Sequence, residues 1–173
     1  MCLYTDKSIQ PHFLAPESHV RNHAYHLWEN AGKPHDKCFW DDAEKECNYI
    51  IAYKVVLKGD SRYGGEHNTL ISPIQGMTWK QGWNESSRKP DEPHEPAALV
   101  FLGIHVFLDP WEAKQVSDAI PESHVLTVHC YENDFIAAGT CSVNWKTYDG
   151  LEITTPVAYK SAVFQKVFAP SLL

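Results

Sequence analysis

The sequence predicts an α+β fold: an antiparallel helical hairpin over residues 1–48, then a principal domain over 49–173 built on a mainly antiparallel sheet of about five or six strands with one helix. Three observations carry this. Apolar residues recur at helical spacing from Val20 to Ala31 and stop at Gly32 and Pro34. From Asn48 onward the pattern changes to β-rich runs separated by turn residues. Within those runs, Asp109-Pro110-Trp111-Glu112 is a helix start.

Val20, Ala24, Leu27, Trp28 and Ala31 form one apolar stripe of the first helix, with Pro16 and Glu17 suited to its first turn. Gly32 fits the left-handed residue past the helix end, and Pro34 prevents continuation. Asp36 is placed to cap a second helix whose inner face is Phe39, Trp40, Ala43 and Cys47. A short connection makes the helices antiparallel neighbours, with Trp28, Phe39 and Trp40 at the seam. Helices this short are marginal alone, so the hairpin should dock on something larger.

Tyr49 to Leu57 reads as a strand, and Ser61 to Gly65 as a loop. Asn84 to Pro96, rich in proline and charge, reads as an exposed loop. Ala97 to Leu108 is nearly continuous apolar chain, expected as a central strand buried on both faces. Asp109 starts a helix in which Glu112 can complete a capping box, and Ala113, Val116 and Ile120 face inward. Val125 to Tyr131 is a further strand, turned by Glu132-Asn133-Asp134. Asp149-Gly150 is a two-residue hairpin signal between Ser142–Tyr148 and Leu151–Thr154. Pro156 interrupts, and Val157 to Phe168 closes the sheet.

The pattern Arg21, Ala24, Tyr25, Leu27, Trp28, Glu29, Gly32, Pro34, Phe39-Trp40, Ala43-Glu44 resembles a small bacterial domain of unknown function, written A-Y-x-L-W-E-x-x-G-x-P…H-W…A-E. Phe39 stands where that family has His. The resemblance covers the first third of the chain and implies a module appended to other segments, with no activity attached.

Composition limits the partners. A formal charge of -7 argues against non-specific nucleic-acid binding and favours a basic protein partner. No apolar run approaches the ~20 residues of a membrane span, and the N-terminus lacks the design of a signal peptide. Five cysteines with no C-x-x-C fit reduced thiols in the cytoplasm, although Cys130 and Cys141 could face each other across a hairpin.

Several residues are candidates for chemistry. His19, His23 and His26 recur on one side of the first helix, with His35 in the following loop, and imidazoles at i, i+4 can chelate Zn²⁺. Arg62, Gly64 and Gly65 could form a backbone nest for an anion. Cys130 could be a nucleophile with a neighbouring His, or a buried thiol. Trp79 and Trp83, one helical turn apart if helical, form with Asp91, Glu92 and Glu95 of the adjoining loop a candidate interface. His105 sits alone in the expected buried strand, either in a ligand pocket or bonded to backbone.

The series Tyr49–Leu57, Gly103-x-His105-x-Phe107, Asp109-Pro110-Trp111-Glu112, then H-V-L-T-V-H-C-Y-E-N-D-F-I-A-A-G resembles uncharacterised phage and bacterial domains with a G-[FI]-H-x-[FC] strand. It also resembles the ADP-ribosyltransferase fold. That second resemblance implies NAD bound by Tyr53 or Lys54, His105 and Glu152, although no S-T-S follows a strand and no E-x-E lies at or after the strands. The residues themselves favour an acidic, non-catalytic binding or inhibitory protein, one whose basic partner could belong to a nucleic-acid-handling complex. The alternatives are an NAD-dependent transferase at His105 and a metal-dependent binder at the first helix.

Overall fold

The computed structural model describes residues 9–35, 37–58, 70–72, 77–86, 103–146 and 152–172, with the backbone alone for 141–146 and 152–157. The chain is α+β, and the helical pair comes first. Helix α1 spans Glu17–Asn30 and α2 spans Trp40–Cys47. Gly32 follows α1 with φ 81°, a left-handed conformation that glycine adopts without penalty. The second helix starts later than Asp36 would allow: Phe39 is its N-cap residue and supplies no side-chain cap. Phe39 is instead buried, with Val20 and Ala43, where the two helices meet. The Trp28 indole donates to the Pro34 carbonyl at 3.1 Å, which ties the connection back to α1.

The hairpin is an excursion closed at its base. Leu14 and Tyr49 pair across an isolated antiparallel bridge, on either side of residues 16–47. Asn48 secures the same base: its carbonyl accepts from the Glu132 N–H, and its side-chain amide donates to the Glu132 carboxylate, both at 3.0 Å. Phe13 packs edge-on against Phe135 and Phe164, so the residues just before the hairpin belong with the sheet core.

The sheet has nine strands among the described residues, more than the five or six expected. They are β1 (Tyr49–Lys58), β2 (Leu70–Ile71), β3 (Thr78–Trp79), β4 (Gly82–Glu85), β5 (Ile104–Phe107), β6 (Ser123–Tyr131), β7 (Phe135–Lys146), β8 (Glu152–Phe164) and β9 (Lys166–Ala169). The order is β4-β9-β6-β1-β5-β8-β7, with β2 on β1 and β3 on β2, and every pairing is antiparallel. The excess comes from β2, β3, β4 and β9, which have two or four residues each, too short to show a period in sequence.

This order forces the sheet to curl. Strands β6 and β7 stand four places apart, about 19 Å in a flat sheet. Only a 3-10 turn, Glu132–Asp134, joins them, and the chain from Tyr131 to Phe135 reaches at most ~14 Å. Strands β8 and β9, also four places apart, are joined through Gln165 alone. The turn at 132–134 therefore crosses the curl and does not make a hairpin, and Cys130 and Cys141 lie on strands that do not pair. Cys130 is a free thiol. Strands β7 and β8, on either side of Asp149-Gly150, do pair, with Lys146 opposite Glu152; residues 147–151 lie outside the described residues. Strand β8 continues through Pro156, and the ladder absorbs it by a register shift in which residues 155–157 face Val143 alone.

Two apolar clusters result. The inner one, enclosed by the curl, takes Ala52 and Val56 of β1, Ile104 and Val106 of β5, Leu126, Val128 and Cys130 of β6, and Phe164 and Val167 near the β8–β9 junction. The outer one lies beneath helix α3 (Pro110–Asp118): Val55, Leu57, Phe107 and Tyr159 meet Ala113, Val116 and Ile120. Asp109 caps α3 through bonds from the Trp111 and Glu112 N–H groups, at 2.8 and 3.2 Å. Glu112 does not complete a capping box. Its carboxylate accepts from the Lys160 backbone N–H at 2.7 Å and pins the helix to β8. Gly103, just before β5, is a close approach, because a Cβ there would collide with Val163, Ile136 and the Phe164 carbonyl.

Candidate functional site: an aromatic end of the outer sheet face

Side chains of a strand alternate between faces, so the odd residues of β1 and β6 share the outer face with the even residues of β9 and the odd residues of β4. Register then sets a row across four strands: Ile51 opposite His129, His129 opposite Phe168, and Phe168 opposite Trp83. Tyr49 opposite Tyr131 makes a shorter second row. The rings touch. Centroids lie 5.4 Å apart for Trp83–Phe168, 5.3 Å for Trp83–Tyr131, 5.6 Å for Tyr49–Tyr131 and 5.0 Å for the stacked Tyr49–His129 pair. His129 to Phe168, at 6.2 Å, closes the set. Trp83 is 47% exposed and Ile51 52% exposed, while the other members are half-buried.

A cleft of about 540 Å³ adjoins Trp83, and Asn84, Lys80, Lys166, Glu85 and Asp134 line it. Asn84 builds its wall. The side chain is buried, accepts from the Lys80 N–H at 3.0 Å and donates to the Lys80 and Gly82 carbonyls at 2.8 and 3.1 Å. It thereby holds the turn that presents Trp83. Burial raises the Asp134 carboxyl above its ordinary pKa, Lys166 opposes that, and Glu85 adds to it. Glu132 stands exposed one residue past Tyr131.

Against this geometry the expected site residues separate. Trp79 and Trp83 are not one helical turn apart on a shared face. They lie on β3 and β4, with Trp79 at 3% exposure inside the curl and Trp83 outside, so Trp79 is a core residue and no surface anchor. Asn84 and Glu85 belong to β4 and not to an exposed loop. Asp91, Glu92 and Glu95 lie outside the described residues, as do Arg62, Gly64 and Gly65.

Tyr53 and His105 share the outer face near Phe107, Tyr53 half-buried and His105 at 6% exposure. His105 pairs with Val163, eleven residues along β8 from Glu152 (163 minus 152), roughly 36 Å of strand. The three residues implied by the ADP-ribosyltransferase resemblance therefore do not converge. Burial, and secondarily the nearby Lys54 ammonium, pushes the His105 pKa down to about 3, so its ring is neutral.

His23 is engaged with the Glu46 carboxylate at 2.5 Å, linking α1 to α2, while His19 and His26 are exposed. Among the described residues no group of three or more His, Cys, Asp or Glu side chains could hold a metal ion. Burial raises the Cys130 thiol pKa, which keeps the thiol protonated and inert. No helix of the described residues is long and apolar enough to cross a membrane.

The aromatic rows were not foreseen as a unit. Their signal was parity: Tyr49 and Ile51 in one strand, His129 and Tyr131 in another, at period 2. Only register could join them to Phe168 and Trp83. No curated protein and no solved structure matches the chain. Residues 16–47, the helical hairpin, match the family described as protein of unknown function (DUF2934).

Proposed function

We propose that the chain is an interaction protein that holds a basic segment of a protein partner against the aromatic end of its outer sheet face. The observation that carries this reading is the contiguous set Trp83, Phe168, His129, Tyr131 and Tyr49, left uncovered at its Trp83 and Ile51 ends. Tyr and Trp supply large, stiff contact area at low entropic cost and are enriched where partners bind most tightly. Their faces also attract Lys and Arg. Glu85 and Asp134, with Lys80 and Lys166, line the cleft beside Trp83, Glu132 follows Tyr131, and the formal charge of -7 favours a cationic partner over nucleic acid. Basic surfaces of nucleic-acid-handling proteins are partners of this charge type. A reducing compartment such as the cytoplasm fits the free thiols of Cys38, Cys47 and Cys130.

A peptide array tests the reading. Basic, acidic and neutral peptides and a single-stranded oligonucleotide are offered to the wild-type protein and to Trp83→Ala. The expected result is selective binding of basic peptides, weakened by salt and at least tenfold weaker in the variant. Binding of the oligonucleotide alone, or equal binding by the variant, would overturn it.

A further inference from the structure

Lys54 is a buried cation that the proposed surface function does not use. It projects from the inner face of β1 between Ala52 and Val56, opposite Leu126, at 4% exposure. Its Nζ donates to the His105 carbonyl at 2.8 Å and lies 5.8 Å from the centre of the Trp79 ring. An ammonium has three N–H groups, and this bond uses one. No carboxylate pairs with it among the described residues.

Two more donors from the β2–β3 hairpin face the same interior. The Trp79 indole N–H and the Ser72 hydroxyl are both buried without a hydrogen-bond partner. The Ser72 N–H bonds the Met77 carbonyl, so the hairpin that carries both groups is itself closed. Continuing the β1–β2 register sets Ser72 opposite Val56, two residues along β1 from Lys54, beside a thinly paired stretch of the sheet. Strands β1 and β5 share one opposed pair, Tyr53 and Phe107, whereas β1 and β6 share nine. Around them the walls are apolar: Val56, Leu70, Val106 and Leu126.

Each buried donor without an acceptor is costly, and an unpaired ammonium more so. The chemical complement of several donors in an apolar setting is an oxyanion on an aliphatic body. We propose that Lys54, Trp79 and Ser72 form an internal binding site for a small aliphatic carboxylate, its oxygens taking the free N–H and O–H groups and its chain lying against Val56, Leu70 and Leu126. Burial holds the Lys54 pKa at about 7, and a bound carboxylate would stabilise its charged form.

Titration with acetate, butyrate and octanoate tests this, read by the Trp79 indole N–H resonance and by melting temperature, with butyramide and inorganic phosphate as controls. The expected result is saturable movement of the Trp79 resonance with one of the carboxylates and a raised melting temperature. Binding should be at least tenfold weaker in Lys54→Met and in Trp79→Phe, and unchanged in Trp83→Ala. The Trp79→Phe variant keeps an aromatic ring and loses the N–H donor; read by melting temperature, it serves if Lys54→Met does not fold. Absence of saturable binding by all three carboxylates, equal response to butyramide, preference for phosphate, or full affinity in Trp79→Phe would overturn the proposal.

Discussion

Strands β1 and β6 present one continuous outer face with two fates. Under α3 that face is aliphatic and sealed: Val55 and Leu57 meet Ala113, Val116 and Ile120. Beyond the reach of α3 the same strands carry Tyr49, Ile51, His129 and Tyr131, and the face continues onto Phe168 and Trp83 with nothing of α3 on it. Side-chain parity is identical in both halves. What changes is the chemistry, from branched aliphatics that gain only by burial to rings with polar edges that tolerate water and bind protein. On the proposed function, that difference is what would let the open half serve as a contact surface.

Lys54 backs both halves from inside, and its variant should give the largest effect. Its folded pKa of about 7 lies below the ordinary 10.5, so between those values the unfolded chain holds more protons than the folded one. Stability should therefore rise as pH increases from 7 to 10.5, by as much as about 5 kcal/mol at ~1.4 kcal/mol per unit. The buried group with a neighbouring titration is His105, whose depressed pKa adds a second rise between pH 3 and 6.5. Denaturant unfolding across pH checks this: Lys54→Met should abolish the upper rise and keep the lower one.

A charge placed in each half sharpens the contrast. Val116→Asp in the sealed half should cost about 3–5 kcal/mol or prevent folding. Ile51→Asp in the open half should cost no more than about 0.5 kcal/mol. Equal losses would mean that the two halves are covered alike. Next in size, Phe168→Ala should weaken partner binding at least tenfold in calorimetry, while Trp111→Ala, on the exposed side of α3, should leave it unchanged. The smallest effect belongs to the cap, where Asp109→Ala should lower stability by about 1 kcal/mol without changing binding.

The sequence announced what local chemistry controls. The α3 cap at Asp109, the Gly32 stop and the pairing of the strands on either side of Asp149-Gly150 each follow from a few adjacent residues, and the structure contains all three. The fold class was readable for the same reason. Long-range pairing was not. Nothing near Glu132–Asp134 tells that the chain crosses to the far end of the sheet, or that β8 and β9 part at Gln165. The same blindness hid the separation of His105 from Glu152 and left open a shared helix for Trp79 and Trp83, which lie on the short strands β3 and β4. Lys54 had a signal, since it shares the parity of Ala52 and Val56 in an otherwise apolar run, but only the curl makes that face an interior.

The most direct test of the central claim is the map of resonances that move when a basic peptide is titrated into the protein. The account predicts saturable shifts at Trp83, Phe168, His129, Tyr131 and Tyr49, with Val116 and Ile120 still. Shifts centred on α3 or on the helical hairpin, with the aromatic rows unmoved, would contradict it.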